Sequence, residues 1–101
     1  MTMAVTELRV DIERLVGRIE ALGEIGRVVG PNGERGCARL ALTDADREGR
    51  DLVVAWMRDL GLRVEIDAIG NVFATRDGRD PSLAPVMTGS HIDTVRTGGR
   101  Y

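Results

Sequence analysis

The sequence predicts an α/β fold in which two helices precede a β-hairpin and an interior strand of a mixed sheet. Three observations support this class. Apolar residues recur every three or four positions near the start, a second such stretch begins after Thr43, and strict alternation replaces this spacing after Gly61. With 101 residues, 43% hydrophobic and 30% charged, the composition is that of one globular domain. We expect residues 1–101 to form one continuous part of a single domain.

The first helix is predicted from one apolar stripe, and we expect it to fray at Gly23 and Gly26. Charged residues fill the positions between the apolar ones, as is typical of an amphipathic helix that packs on a core. The stripe consists of Val5, Leu8, Ile12, Leu15, Ile19 and Leu22.

A glycine-rich segment follows, with the sequence GPNG at residues 30–33 and a further glycine at Gly36. A phosphate-binding loop would need the order GxxxxGK[ST] after a strand, and the segment has neither feature. We therefore interpret it as a connector between the two helices.

The second helix is predicted to begin after Thr43 and to end at Gly61. The Thr43 hydroxyl can cap free backbone N–H groups, and Asp44 and Asp46 are favourably placed in the positive first turn. Gly61 can adopt the left-handed conformation that ends many helices. The predicted buried side consists of Ala45, Gly49, Leu52, Val53, Trp56 and Leu60.

The strands are predicted from the second half of the chain. Apolar and polar residues alternate over residues 62–67, a turn follows at residues 70–71, and Val72–Thr75 is predicted to pair with the first strand. Residues 76–82 form a polar loop. The third predicted strand, Pro85–Thr88, is apolar enough to need neighbours on both sides.

The one histidine of the chain, His91, follows the third predicted strand and lies two residues before Asp93. Residues i and i+2 of an extended segment point to the same side, so both side chains can reach one site. There the imidazole can bind a metal ion while the carboxylate orients the ring. In open α/β sheets, active sites lie at the C-terminal ends of strands, and His91 follows such an end. On these residues alone, a structural histidine remains the alternative.

The composition also argues against several other functional classes and kinds of site. A net charge of −2 gives no reason to expect a nucleic-acid partner. All basic residues are arginine, so the chain contains no lysine for a Schiff base or a phosphate loop. Cys37 is the single cysteine, which favours a structural thiol over a catalytic one. Without a secretory leader or a long apolar run, we expect a cytoplasmic protein with no membrane partner.

Residues 89–95, GSHIDTV, and residues 98–101, GGRY, resemble the first metal-binding motif of the hydantoinase/carbamoylase family. These enzymes are dinuclear amidohydrolases within the superfamily of zinc-dependent aminoacylases and peptidases. The resemblance extends upstream through residues 39–41, the predicted helix over 43–61 and the turn at 67–71, so it covers most of the chain. The family includes N-carbamoyl-L-amino acid hydrolases, ureidopropionases and allantoate amidohydrolases, among which this segment does not choose.

The resemblance implies the N-terminal part of an aminopeptidase-like catalytic domain. His91 matches the first metal-ligating histidine, and Asp93 matches the aspartate that orients this ligand close to the catalytic centre. The implied cofactors are two divalent ions, zinc, manganese or cobalt. The implied full-length protein is a homodimer with a small-molecule substrate, and the substrate-binding residues stay unknown.

The resemblance further implies that the chain is an N-terminal fragment. In the family, the residue after the Tyr101 position is an aspartate that bridges both metals, and the glutamate pair, the later histidines and the lid domain also follow. We therefore expect the full-length protein to hydrolyse a linear C–N bond of a carbamoyl or ureido group, and the fragment to be inactive. The alternatives are an aminoacylase or metallopeptidase of the same superfamily, and a non-catalytic truncated remnant or partner-binding module.

Overall fold

The computed structural model of the chain describes residues 7–101, which contain two helices and two small antiparallel sheets. The predicted α/β class is therefore confirmed. None of the described helices combines the length and the apolar character needed to cross a bilayer. The elements in chain order are α1 (Ile12–Glu24), β1 (Arg27–Val29), β2 (Arg35–Cys37), α2 (Asp44–Asp59), β3 (Arg63–Ile66) and β4 (Val72–Thr75).

Helix α1 begins later than its apolar stripe predicts. Asp11 is the N-cap residue, and its carboxylate accepts a hydrogen bond from the backbone N–H of Arg14 at 3.1 Å. Because an N-cap residue has an extended backbone, this cap stops the helix from continuing upstream. Leu8 consequently precedes the helix and is 59% exposed, and Val5 lies outside the described residues. The helix ends at Glu24, between the two glycines that predict its end.

A short hairpin, β1 and β2, occupies the glycine-rich segment that is predicted to be a connector. The register pairs Arg27 with Cys37 across the two strands. Residues 30–33 form the turn, in which the N–H of Gly33 donates to the carbonyl of Gly30 at 3.0 Å. The glycines thus mark the turn correctly, but each strand has only three residues. Strands this short show too little alternation to be recognised in a sequence.

Helix α2 has both of its predicted ends. The Oγ1 of Thr43 accepts from the backbone N–H of Asp46 at 3.3 Å, and Gly61 has the left-handed φ of +78° just after the helix. The predicted buried side is confirmed only in part. Gly49 is buried, Leu60 is 55% exposed, and the other four predicted residues are half-buried, whereas Val54, which was not predicted, is buried. Leu60 is the C-cap residue, so it lies beyond the last regular turn of the packed face.

Strands β3 and β4 pair in the predicted antiparallel hairpin. The turn between them is held by Asp67, whose Oδ1 accepts from the backbone N–H groups of Ile69 at 3.1 Å and Asn71 at 2.8 Å. The side-chain amide of Asn71 also donates to Oδ2 at 2.9 Å. These hydrogen bonds, that of the Asn71 side chain foremost, hold the pKa of the Asp67 carboxyl below its usual value.

We expect Asp67→Ala in the complete protein to lower the unfolding temperature at neutral pH. Because the pKa of Asp67 is lowered on folding, its stabilising effect is complete above the ordinary carboxyl value of 3.8 and is lost as pH falls through the lower folded pKa. The unfolding curves of wild type and variant should therefore converge in acid. Asp51→Ala, an exposed position on α2, is the control. A difference between wild type and Asp67→Ala that stays constant into acid would contradict this account.

The third predicted strand, Pro85–Thr88, does not form in the described part of the chain. Neither two-stranded sheet pairs with it, and its apolar side chains face solvent, with Val86 102% and Met87 72% exposed. A strand that is apolar on both faces depends on neighbouring strands for its hydrogen bonds and its burial. The interior position in a mixed sheet is therefore not filled within residues 7–101.

Candidate metal-ligating site

His91 and Asp93 contact each other, as their spacing predicts. The Nδ1 of His91 lies 3.1 Å from Oδ1 of Asp93 and 3.0 Å from its backbone oxygen. A carbonyl oxygen and an ionised carboxylate only accept hydrogen bonds, so the ring proton belongs on Nδ1 and Nε2 keeps its lone pair. The His91 side chain is 78% exposed, and that of Asp93 is 44% exposed. The pair therefore presents an oriented, accessible imidazole nitrogen.

This pair fits one part of a metal centre. A carboxylate that holds the second nitrogen of a ligating imidazole is the usual arrangement around metal-bound histidines. A complete site needs three or four protein ligands, and no group of three His, Cys, Asp or Glu side chains within residues 7–101 could hold an ion. Cys37 is 1% exposed, and its thiol donates to the carbonyl of Ile25 at 3.3 Å, as befits a structural thiol.

The segment that carries the pair is attached to β2 through Thr94. The backbone N–H of Thr94 donates to the carbonyl of Arg39 at 2.8 Å, and the N–H of Arg39 donates to Oγ1 of Thr94 at 2.7 Å. The same hydroxyl donates to the carbonyl of Cys37 at 3.1 Å. Further along, the N–H of Cys37 donates to the carbonyl of Gly99 at 2.8 Å. Hydrogen bonds to β2 and to the residues after it thus fix the backbone on the C-terminal side of Asp93.

Arg39 is a buried arginine, 5% exposed, that lies between this segment and the end of α1. Its Nε donates to the carbonyl of Ile92 at 2.9 Å. Its Nη1 donates to the carbonyls of Leu22 at 2.8 Å and Ile25 at 2.6 Å. Carbonyls at a helix C-terminus carry the negative end of the helix dipole. They therefore compensate the buried guanidinium charge.

Arg39 is not among the site residues predicted from the sequence, although residues 39–41 belong to the segment over which the family resemblance extends. Its position in the sequence could have indicated burial, because Arg39 is the one charged residue in the apolar run of residues 37–42. Gly49 of α2 completes the pocket, since a Cβ there would lie 2.8 Å from Cδ of Arg39. The close approach of α2 to the arginine side chain thus requires glycine at this position.

Several known proteins are similar to this chain in sequence. No family model matches the chain. A curated N-carbamoyl-L-amino-acid amidohydrolase from Pseudomonas sp. (strain NS671) is 49% identical over 89 residues, which are 88% of this chain and 20% of that protein. A curated ureidoglycolate hydrolase from Arabidopsis thaliana is 36% identical over 96 residues, 95% of this chain and 19% of that protein.

A solved structure gives the same result for the fold. A hydantoinase/carbamoylase family amidase from Burkholderia ambifaria matches with a TM-score of 0.81 and 50% identity, over 93% of this chain and 22% of that one. The chain spans about a fifth of the length of the curated relatives it matches. By sequence and by fold, the chain is homologous to one part, about a fifth, of these members of the hydantoinase/carbamoylase family of amidohydrolases.

Proposed function

We propose that the complete protein carrying this chain is a metal-dependent amidohydrolase that cleaves the carbamoyl or ureido C–N bond of a small linear substrate. The observation that carries the proposal is the contact between Nδ1 of His91 and the Asp93 carboxylate, which leaves Nε2 accessible. The names of the Pseudomonas and Arabidopsis relatives support the reaction class, one with a carbamoyl amino acid and the other with ureidoglycolate as the substrate.

In this proposal His91 is a metal ligand through Nε2, and Asp93 is a catalytic residue beside it. Two bound divalent ions, zinc, manganese or cobalt, would activate a water molecule and polarise the substrate carbonyl. Asp93 keeps the proton of His91 on Nδ1 and fixes the orientation of the ring.

The proposal extends to assembly and location. We propose a homodimer with a small-molecule substrate, in line with the family that residues 89–101 resemble. We also propose a cytoplasmic location, as expected from the sequence. The remaining metal ligands would come from outside the described residues, because these contain no group of three ligating side chains.

The proposal is tested by assaying the complete gene product against N-carbamoyl-L-amino acids, ureidoglycolate, N-acyl amino acids and dipeptides. We expect hydrolysis of a carbamoyl or ureido substrate that stops after dialysis against a chelator and returns when zinc, manganese or cobalt is added. Hydrolysis of acyl amino acids or dipeptides alone would instead identify an aminoacylase or a peptidase. No hydrolysis of any of these substrates with any of the metals would favour a non-catalytic product.

In the same assay, Asp93→Asn should lower turnover by roughly 10- to 100-fold, the range typical of residues that orient a metal ligand. Bound metal should fall much less, because the ligating nitrogen belongs to His91. Asp51→Asn on α2 supplies the matched control and should keep the wild-type rate. Loss of all bound metal in Asp93→Asn would show that Asp93 is itself a ligand.

A further inference from the structure

The hydrogen bonds of Arg39 reach both peptide groups that flank Asp93. On one side, its Nε donates to the carbonyl of Ile92 at 2.9 Å. On the other, its backbone carbonyl accepts from the N–H of Thr94 at 2.8 Å. These two bonds fix the orientations of both peptide planes around Asp93, and therefore the direction in which its side chain leaves the backbone.

Capping α1 does not account for this arrangement. The cap uses Nη1 alone, which donates to the carbonyls of Leu22 and Ile25. The bond from Nε to Ile92 is additional, and it joins the end of α1 to a residue 53 positions away from Arg39. Only a guanidinium presents several N–H donors in one fixed plane, so a lysine ammonium cannot reproduce both directions.

The orientation of Asp93 decides which nitrogen of His91 is free. Both acceptors near Nδ1 belong to Asp93, namely its backbone oxygen at 3.0 Å and Oδ1 at 3.1 Å. If the peptide planes around Asp93 turned, both acceptors would move away from Nδ1 together. The ring would then lose the hydrogen bonds that select its tautomer.

We propose that Arg39 is a positioning residue that holds the two peptide groups around Asp93 and thereby keeps the His91 proton on Nδ1 and its Nε2 lone pair available. The effect of Arg39 on metal binding rests on the proposed function, whereas its effect on the tautomer of His91 does not. Thr94 shares the role, because its hydroxyl accepts from the N–H of Arg39 and donates to the carbonyl of Cys37.

The test uses the complete gene product, free of metal and labelled with ¹⁵N-histidine. The His91 ring signals are assigned by their absence from His91→Gln. In the wild type we expect the signature of a proton on Nδ1, and in Arg39→Met a shift towards the Nε2-protonated form of a free imidazole. Affinity for added zinc or manganese should fall by about 10- to 100-fold in Arg39→Met. Arg79→Met, in an exposed loop, is the matched control and should leave both readouts unchanged.

A second pair of variants covers the case in which Arg39→Met does not fold. Thr94→Val removes the hydroxyl with little change in shape and should shift the ring signals, whereas Thr94→Ser keeps the hydroxyl and should restore them. Lower unfolding temperatures in Arg39→Met or Thr94→Val with unchanged ring signals would overturn the proposal, because they would mean a purely structural role. If the wild type binds no metal but the ring signals shift as expected, the proposed function fails and the positioning role stands.

Discussion

Replacing His91 with alanine in the complete protein should reduce hydrolysis of a carbamoyl or ureido substrate to background and lower the amount of bound metal. His91 is the one imidazole in the chain, and Asp93 can orient no other ligand in its place. Because the side chain is 78% exposed, its removal should leave the unfolding temperature of the metal-free protein nearly unchanged. Metal content, turnover and thermal unfolding, measured on the same preparation, separate a loss of function from a loss of fold.

The control for this variant is Arg79→Ala, a side-chain truncation in an exposed loop. It should keep the wild-type rate and metal content. A His91→Ala protein with wild-type metal content and rate would remove His91 from the proposed site.

The chain of 101 residues, expressed by itself, should show no hydrolysis with zinc, manganese or cobalt and should unfold with little cooperativity. Its described part has no group of three ligating side chains. The chain exposes 8512 Å² of surface, whereas a compact protein of its mass exposes about 5600 Å². On α1, Ile12 and Ile19 are 63% and 43% exposed, so little apolar surface is buried to offset the conformational entropy lost on folding.

Thermal unfolding, gel filtration and a carbamoyl-amino-acid assay on this chain check that expectation. The matched comparison is the complete gene product in the same buffer and with the same metal. A cooperative unfolding transition in a monomer that hydrolyses the substrate only when metal is added would contradict it. The reaction would then need fewer groups than a site with several ligands supplies.

Features set by neighbours in sequence could be predicted. Thr43 and Gly61 mark the ends of α2 because a capping hydroxyl and a left-handed glycine act within one helical turn. The hairpin of β3 and β4 follows from alternation and a short turn, and the contact of His91 with Asp93 follows from their spacing. The chemical roles of these two residues stay predictions.

Features set by distant residues could not be predicted. Pro85–Thr88 has the composition of an interior strand, but a strand also requires partners, and the composition of one segment does not specify them. Arg39 is one arginine among many in the sequence, and its burial depends on carbonyls of α1 and of Ile92, which lie on either side of it in the chain. The start of α1 is set by neighbouring residues but was predicted wrongly. The Asp11 cap begins the helix at a later residue than the periodic apolar residues predict.

The separation between Arg39 and Ile92 also has a consequence for the order of events during synthesis. The carbonyl of Leu22 lies 17 residues from Arg39, whereas that of Ile92 lies 53 residues away. At a ribosomal rate of about 5–20 residues per second, Ile92 is added roughly 3–10 s after Arg39. The length-dependent part of the entropy cost of closing such a loop is about 3.5 kcal/mol. The guanidinium can therefore bind the end of α1 first, and the segment that carries His91 docks later onto a pocket that already exists.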